Sequence, residues 1–258
     1  MVGAFINPSE RVAVVTGGAK GIGAATASAL TADGVSVLIV DRDTTEGEKT
    51  AANLTEGLFV RGDVSSASDA ERVATECVRA FGRLDILVNC AGIQRYGSVV
   101  ETPEAEWDEV LAVNLKGMFL LSKFCVPKML EGGGGTVVNV ASVQGFAAQK
   151  GVAAYSASKG GAIALTRAMA VDFAPSVRVN CVCPGVVDTP MLREAAAMLA
   201  DMPGRASRQS GMQPPMRRVA RPEEIASAIV FLAGPHASFI TGAALVVDGG
   251  LLSILGGT

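Results

Sequence analysis

Two residues with acid–base side chains stand four positions apart in a stretch that is otherwise rich in alanine and glycine. Tyr155 and Lys159 form a Y-x-x-x-K pattern, and Ser142 precedes the tyrosine by thirteen residues. Because positions i and i+4 share one face of a helix, a helix over 152–174 would place the phenol and the ammonium one turn apart. No acidic residue between 132 and 171 neutralises the lysine. Taken alone, such a pair is more often a core tyrosine beside an ordinary lysine, so its meaning depends on the rest of the chain.

A glycine-rich turn lies near the start of the chain. Residues 16–23 read T-G-G-A-K-G-I-G and fall between a predicted strand, 12–16, and a predicted helix, 22–32. Glycines permit a tight turn, and the free N–H groups at the start of a helix attract a pyrophosphate. The turn predicts a dinucleotide site that involves Gly17, Lys20, Gly21, Ile22 and Gly23, although a purely structural loop has the same composition.

Asp41 ends the second predicted strand, twenty residues after Gly21. A carboxylate at that place accepts hydrogen bonds from the adenosine ribose hydroxyls and repels a 2′-phosphate, so it predicts NAD in preference to NADP. Lys20 and Arg42 are nearby cations that would weaken this preference. The alternative role for Asp41 is that of a turn residue before the next helix.

The periodicity predicts a parallel sheet that is covered by helices on both faces. Short runs of β-branched residues alternate with longer helical stretches, which is typical of buried parallel strands. The seven predicted strands are 12–16, 35–40, 58–61, 86–89, 137–141, 178–183 and 244–248. The predicted helices are 22–32, 45–53, 67–81, 103–131, 152–174 and 222–233, with an irregular segment between the sixth strand and residue 221.

Size and composition narrow the class of protein. The 258 residues are 49% hydrophobic and 18% charged, which predicts one domain, 1–258, with extensive burial. A net charge of -3 with scattered basic residues argues against nucleic acid as a partner. No uncharged apolar run reaches the length of a bilayer span, so we expect a soluble, cytoplasmic protein. The five cysteines form no C-x-x-C pair and only His236 accompanies them, so we predict reduced, structural cysteines and no metal site.

Taken in order, these motifs resemble the short-chain dehydrogenases/reductases. The resemblance extends from residue 12 to residue 250 and includes T-G-x-x-x-G-x-G, N-C-A-G at 89–92, R-P-E-E at 221–224 and D-G-G at 248–250. It implies a single-domain, Rossmann-type, doubly wound sheet of seven strands that binds NAD(P) at the carboxyl ends of the strands. The one departure is Cys90, where many members carry a second asparagine.

The resemblance also implies roles for individual residues. Asp63 and Val64 would enclose the adenine, with an alternative role for Asp63 in capping the helix that follows. Asn89 would line the cofactor or stabilise the end of its strand. The remaining cofactor residues that the resemblance implies are Ala91, Gly92, Tyr155, Lys159, Pro184, Gly185, Val187 and Thr189.

The catalytic set that the resemblance implies is Asn114, Ser142, Tyr155 and Lys159. Ser142 would hydrogen-bond the substrate oxygen, Lys159 would hold the nicotinamide ribose, and Asn114 would bind a water that links Lys159 to solvent. A cation about 4 Å from a phenol is worth roughly 4 kcal/mol at an effective dielectric constant near 20. Since tyrosine begins near a pKa of about 10, Lys159 and an oxidised nicotinamide would lower that pKa toward a usable base.

The substrate would be enclosed by Gln94, Gln144, Gln149 and a mobile lid at about 186–218, including Val186 and Met191. The lid prediction depends on its methionines (191, 198, 202, 212 and 216) and on glycine and proline at 203, 204, 211, 214 and 215, although a plain surface helix is the alternative. The glutamines favour a cyclic or alicyclic secondary alcohol or a polyol. Arg205, Arg208 and Arg217 would either meet an anionic substrate or remain solvated.

The long helices 103–131 and 152–174 carry small and apolar residues on more than one face, which favours burial against the sheet and a second subunit. The resemblance implies a homotetramer, with a homodimer as the simpler assembly. Three other functions stay open: an NADPH-dependent ketoreductase of the 3-oxoacyl-carrier-protein reductase type, a non-catalytic NAD(H)-binding sensor, and a sugar-nucleotide epimerase or dehydratase. Asp41 argues against the first and the intact tetrad against the second. The short chain after the seventh strand argues against the third.

Overall fold

Seven parallel strands form one sheet in the order β3-β2-β1-β4-β5-β6-β7. The computed structural model describes residues 11–200 and 214–254, with side chains for all of these except 198–200. The strands are β1 Val12–Thr16, β2 Ser36–Asp41, β3 Gly57–Arg61, β4 Ile86–Asn89, β5 Gly135–Val140, β6 Val177–Pro184 and β7 Ala244–Val247. The predicted strand count and the doubly wound parallel sheet are confirmed, with strand ends that differ by one or two residues.

Helices cover both faces of the sheet. They are α1 Gly21–Ala32, α2 Thr44–Ala52, α3 Ala67–Phe81, α4 Glu104–Leu111, α5 Gly117–Glu131, α6 Ala153–Phe173, α7 Pro190–Ala200 and α8 Pro222–Ala233. One core lies between the sheet and the α3, α5 and α6 layer and includes Leu87, Leu121 and Met129. The other lies under α1 and α8 and includes Leu30, Ile39 and Ile229. Fully buried strands explain why the sequence showed continuous apolar runs instead of alternation.

Two predicted elements need correction. The stretch predicted as one helix over 103–131 contains a five-residue π-helical segment, Ala112–Lys116, between α4 and α5. The segment predicted as irregular up to residue 221 contains α7, which begins at a proline, a favourable residue for the first turn. The remaining lid residues at 201–213, with Met202, Arg205, Arg208 and Met212, lie outside the described residues, as does the side chain of Met198.

The strand order reverses between β1 and β4, and this reversal opens a crevice at the carboxyl ends of the strands. The glycine turn after β1, Asp41 at the end of β2 and the residues after β4, β5 and β6 therefore face the same crevice. By length and composition, the continuous helix Glu104–Glu131 is apolar enough to span a bilayer. However, 56% of the most apolar 18-residue stretch of this helix is buried within the fold, as in the core helix of a soluble protein.

Candidate active site

Three adjoining cavities follow the crevice along the sheet. A small one of about 120 Å³ lies beside β2 and β3, a second of about 340 Å³ lies over the glycine turn, and a third of about 440 Å³ lies beside β5 and β6. Gly92, which follows β4, lines all three. The crevice is thus a continuous site for an elongated ligand.

The glycine turn over the middle cavity is packed so tightly that two of its positions have no room for a side chain. Gly17 has φ +62°, and a side chain on it would lie 2.8 Å from the backbone of Ala91. A side chain on Gly23 would meet the carbonyl oxygen of Gly17 at 2.1 Å. Helix α1 begins here without a side-chain cap and without an acidic residue in its first turn. Its first N–H groups and its positive dipole end are therefore free for an anion, and the turn fits the pyrophosphate of a dinucleotide.

Asp41 is held in place by backbone donors. The N–H of Ala19 donates to Asp41 Oδ2 at 3.2 Å, and the N–H of Asp43 donates to Oδ1 at 3.1 Å. The carboxylate lines both the small cavity and the middle cavity. Asp63 and Val64 line the small cavity opposite it, which fits the adenine role that the resemblance implies.

Both cations near Asp41 are paired with other carboxylates. Lys20 Nζ lies 2.6 Å from Asp43 Oδ2, and Arg42 Nη1 lies 3.8 Å from Asp63 Oδ2. The hydrogen bond that Lys20 donates to Asp43 raises the pKa of Lys20, and the same bond lowers the pKa of Asp43. The predicted alternative role of Asp63 as a helix cap is wrong, because Ser66 caps α3 while Asp63 accepts from Ser65.

The third cavity, the largest of these three along the crevice, brings three of the four predicted catalytic residues together. Ser142, at the end of β5, and Tyr155 and Lys159, one turn apart on α6, all line it. Lys159 Nζ lies 5.5 Å from the centre of the Tyr155 ring and donates to the carbonyl oxygen of Val140 at 2.8 Å. The described residues give this buried lysine no carboxylate partner.

Burial controls the acid–base behaviour of this pair in the protein alone. Desolvation raises the pKa of Tyr155 to about 12, although a hydrogen bond with Ser142 acts in the opposite direction. Desolvation also lowers the pKa of Lys159 to about 8. In the protein alone Lys159 does not bring the phenol below its ordinary pKa, because the lysine is itself buried and is a weakened cation. The predicted lowering, which includes the charge of an oxidised nicotinamide, stays a prediction.

Asn114 lies in the π-helical segment and is fully buried. Its amide Oδ1 accepts from the N–H of Ile93 at 2.8 Å, and its Nδ2 donates to the carbonyl oxygen of Ile93 at 2.9 Å and to Ser158 Oγ at 3.1 Å. This residue connects the loop after β4 to α6, and it is not among the described residues that line the cavities.

Asn89 also lies below the surface of the crevice. Its Nδ2 donates to Asn139 Oδ1 at 2.9 Å, and Asn139 in turn donates to Thr166. The side chain therefore connects β4 to β5, which corresponds to the alternative role as a strand-end stabiliser. Asn89 is not among the described residues that line the three cavities.

The other predicted cofactor and substrate residues lie on the cavity walls. Gln94, Gln144, Gln149, Pro184, Gly185, Val186, Val187, Thr189 and Met191 line the largest cavity. Gly17, Lys20, Gly21, Ile22, Gly23, Ala91 and Gly92 line the middle one.

Sequence reasoning missed several lining residues. Tyr96, the other of the two tyrosines in the chain, lines the largest cavity together with Cys90 and Arg218. Tyr96 and Cys90 both follow the carboxyl end of β4. This position is the sequence signal that could have identified them as residues of the site. Cys90 was predicted to be structural but lies on the wall of the site, where burial raises its thiol pKa to about 12. His236, the one histidine of the chain, is exposed and lies outside the three cavities.

Comparison with known proteins covers nearly the whole chain. A family model described as Enoyl-(Acyl carrier protein) reductase matches residues 17–252. The 2-(S)-hydroxypropyl-CoM dehydrogenase 3 of Xanthobacter autotrophicus is 41% identical, over 95% of this chain and 98% of the relative. The cis-4-hydroxycyclohexanecarboxylate dehydrogenase of Sinomonas cyclohexanicum is 40% identical over the same shares. The ligand-free aldohexose dehydrogenase of Thermoplasma acidophilum superposes with a TM-score of 0.87 at 34% identity, over 96% of both chains.

Proposed function

The chain belongs to the short-chain dehydrogenase/reductase family and is an oxidoreductase that acts on CH–OH groups; on that premise we propose an NAD-dependent dehydrogenase. Its substrate is a secondary alcohol, either a cyclic or alicyclic alcohol or a polyol. The observation that carries this proposal is the convergence of Ser142, Tyr155 and Lys159 on a cavity that adjoins the glycine turn and Asp41.

The bound nicotinamide supplies the hydride acceptor. The protein must therefore hold the alcohol and remove its hydroxyl proton. Ser142, at the end of β5, donates a hydrogen bond to the substrate oxygen and fixes its position. Tyr155 Oη accepts the hydroxyl proton as the carbonyl forms, and in the reverse direction it returns that proton. Because burial raises the pKa of Tyr155 to about 12 in the protein alone, the phenol remains protonated until a positive charge enters the site.

Lys159 positions the cofactor and supports the phenol. Its ammonium is fixed by the carbonyl oxygen of Val140, which leaves its other N–H groups for ribose hydroxyls. Asn114 holds the loop after β4 against α6 and, in this proposal, orders a water that connects Lys159 to solvent.

Preference for NAD follows from the charges around Asp41. The carboxylate faces the adenosine end of the crevice, where it accepts from ribose hydroxyls and repels a 2′-phosphate. The two cations that would attract that phosphate, Lys20 and Arg42, are paired with Asp43 and Asp63. Their charge is therefore largely compensated, which supports NAD over NADP.

The substrate class follows from the walls of the largest cavity. Most lining residues are apolar, while Gln94, Gln144 and Gln149 add amide groups. Gln144 Nε2 donates to Gln149 Oε1 at 3.2 Å, and Gln144 Oε1 is buried without a partner. An alicyclic ring with a further polar substituent suits these walls. The relatives named for a hydroxycyclohexanecarboxylate and for an aldohexose support this choice.

We propose a homotetramer in the cytoplasm, with a homodimer as the smaller assembly. Apolar side chains are exposed on the outer faces of α4, α5 and α6, where Trp107 is 39%, Phe119 49% and Val171 81% exposed. A second apolar surface beside β7 includes the exposed Phe231 and Phe239. Two separate apolar surfaces suit two kinds of twofold contact.

The second candidate is an NADPH-dependent ketoreductase of the 3-oxoacyl-carrier-protein reductase type, which the description of the matching family model favours. The third is a binding protein that senses NAD(H) without chemistry. The complete Ser142, Tyr155 and Lys159 arrangement argues against the sensor, because binding alone does not need it.

Titration with NADH and NADPH, followed by nicotinamide fluorescence, tests the cofactor proposal. We expect NADH to bind at least about tenfold more tightly than NADPH. Tighter NADPH binding would favour the ketoreductase. NADH binding without turnover of any alcohol or ketone would favour the sensor.

A further inference from the structure

In the described wall of the largest of the three cavities, cations outnumber acids. This wall includes three cations, Lys159, Arg217 and Arg218, and no aspartate or glutamate. The cavities over the glycine turn and beside β2 have carboxylates in their walls, including Asp41 in both. An excess of cations over acids in this wall favours an anionic ligand. Of the three cations only Lys159 is buried, whereas Arg217 and Arg218 are exposed at the rim, where solvent screens their charge.

Two of these three cations already have partners. Lys159 donates to the carbonyl oxygen of Val140 and is committed to the catalytic pair. Arg218 forms a two-pronged ion pair with Glu224, with Nη1 and Nη2 each 2.7 Å from a carboxylate oxygen. Arg217 has neither an ion pair nor a side-chain hydrogen bond within residues 11–200 and 214–254. Its guanidinium is the cation in the described wall that is free to meet a ligand.

The backbone at Arg217 supports a functional role. Its φ is +56°, and it is the single non-glycine residue with positive φ in the described chain. A turn holds this conformation, since the N–H of Arg217 donates to the carbonyl oxygen of Pro214 at 2.7 Å. A left-handed residue with a side chain costs free energy that glycine avoids, and such strain concentrates at ligand sites. Glycine would satisfy the turn, so the arginine side chain must serve another purpose.

We propose that Arg217 binds an anionic substituent of the substrate, of the carboxylate class, while the reacting hydroxyl lies at Ser142 and Tyr155. This inference deepens the proposed function and depends on it for the identity of the cavity. The planar guanidinium accepts a carboxylate through two parallel N–H bonds, which gives orientation as well as affinity. Arg217 is thus a specificity-determining residue, and the further polar substituent of the proposed alicyclic alcohol is a carboxylate.

Two non-reacting probes test the proposal without turnover. Cyclohexanecarboxylate and cyclohexanecarboxamide have the same shape and differ in charge, and each is titrated calorimetrically into the protein saturated with NADH. We expect the carboxylate to bind at least about tenfold more tightly than the amide. In Arg217→Gln this preference should fall to about twofold or less, whereas Arg217→Lys should retain part of it. The exposed Arg79 on α3 pairs with Glu76, so Arg79→Ala is a charge-matched control that keeps the preference.

A second readout separates ligand binding from a structural role. Arg217→Gly removes the side chain and relieves the positive φ, so we expect a thermal midpoint equal to or above that of the wild type, together with loss of the carboxylate preference. A lower midpoint would assign Arg217 to stability and overturn the proposal. So would equal binding of the two probes, binding of neither, or a preference that survives in Arg217→Gln.

Failure of this inference is distinguishable from failure of the proposed function. NAD-dependent turnover of neutral cyclic alcohols without a carboxylate preference would contradict the role of Arg217 alone. A carboxylate preference in a protein that oxidises no alcohol would contradict the dehydrogenase and leave the anion site in place.

Discussion

At the adenosine end of the crevice two nearby cations each lie against a carboxylate, whereas in the described wall at the catalytic end the cations outnumber the acids. Lys20 pairs with Asp43 and Arg42 pairs with Asp63, while Lys159 has a carbonyl oxygen as its only described partner. The first arrangement makes a neutral surface from which Asp41 can discriminate between cofactors. At the catalytic end, burial keeps the phenol of Tyr155 and the ammonium of Lys159 out of their ordinary protonation ranges. One end of the crevice is therefore built for selective binding and the other for moving a proton.

The largest expected effect comes from removing the phenol oxygen at the catalytic end. Tyr155→Phe deletes the proposed acid–base group and leaves the ring in place, so kcat should fall by about a thousandfold or more. The dissociation constant for NADH should change by less than about threefold, because the adenosine end is untouched. Stopped-assay kinetics and NADH fluorescence measure the two quantities. Residual activity within tenfold of the wild type would remove Tyr155 from the proposed mechanism.

Removing a charge at the adenosine end should change the selectivity between NAD and NADP and leave the turnover rate nearly unchanged. Asp41→Ser removes the carboxylate that repels a 2′-phosphate, so the ratio of kcat/KM for NAD to that for NADP should fall by about ten- to a hundredfold. The kcat with saturating cofactor should stay within a few fold of the wild type. Asp33→Ser, a change of the same kind in the residue that follows α1, serves as the control. An unchanged ratio would show that Asp41 is a turn residue only.

The buried ammonium of Lys159 makes stability depend on pH. Its pKa in the folded protein is lowered to about 8 from an ordinary 10.5, so between these values the unfolded chain holds more protons. Stability must then rise as pH increases through this window. Relative to Lys159→Met, the cofactor-free wild type should gain about 2 kcal/mol between pH 7 and pH 10.

Urea unfolding at the two pH values measures this difference. The comparison with Lys159→Met cancels the titration of every other group, provided that the variant folds with the same urea dependence. If the two proteins differ in free energy of unfolding by the same amount at both pH values, the pKa of Lys159 is not lowered in the folded protein.

The smallest expected effect concerns the exposed pair at the glycine turn. Asp43→Asn releases Lys20, whose ammonium can then meet a 2′-phosphate, so NADPH affinity should rise by about two- to fivefold. NADH affinity should change less, and the gain should disappear in high salt because the pair is exposed. A gain that persists in high salt would contradict an electrostatic origin.

The sequence predicted the sheet well because each strand carries its own signal. Buried parallel strands appear as continuous apolar runs, and Gly17 and Asp41 mark the ends of strands in a way that short-range chemistry fixes. Three of the four predicted catalytic residues converge for the same reason, since Ser142 follows β5 and Tyr155 and Lys159 share a face of α6. These placements need no knowledge of distant contacts.

The features that could not be predicted depend on the environment that the fold creates. The raised pKa of Tyr155 results from desolvation, which spacing alone does not report. Asn89 turns toward Asn139 because two strands place them side by side. The role proposed for Arg217 depends on a left-handed backbone, which a local turn holds, and on a described cavity wall without carboxylates, which segments far apart in the chain assemble.

A spectroscopic titration of the Tyr155 phenol tests the central claim most directly. The chain has two tyrosines, so Tyr96→Phe leaves Tyr155 as the only phenol, and the ultraviolet absorbance of its phenolate can be followed against pH. The account predicts that the phenol stays protonated beyond about pH 10 in the cofactor-free protein, and that NAD lowers the midpoint by at least about two pH units. A midpoint that NAD leaves unchanged, or a phenol already ionised near neutral pH without the cofactor, would contradict it.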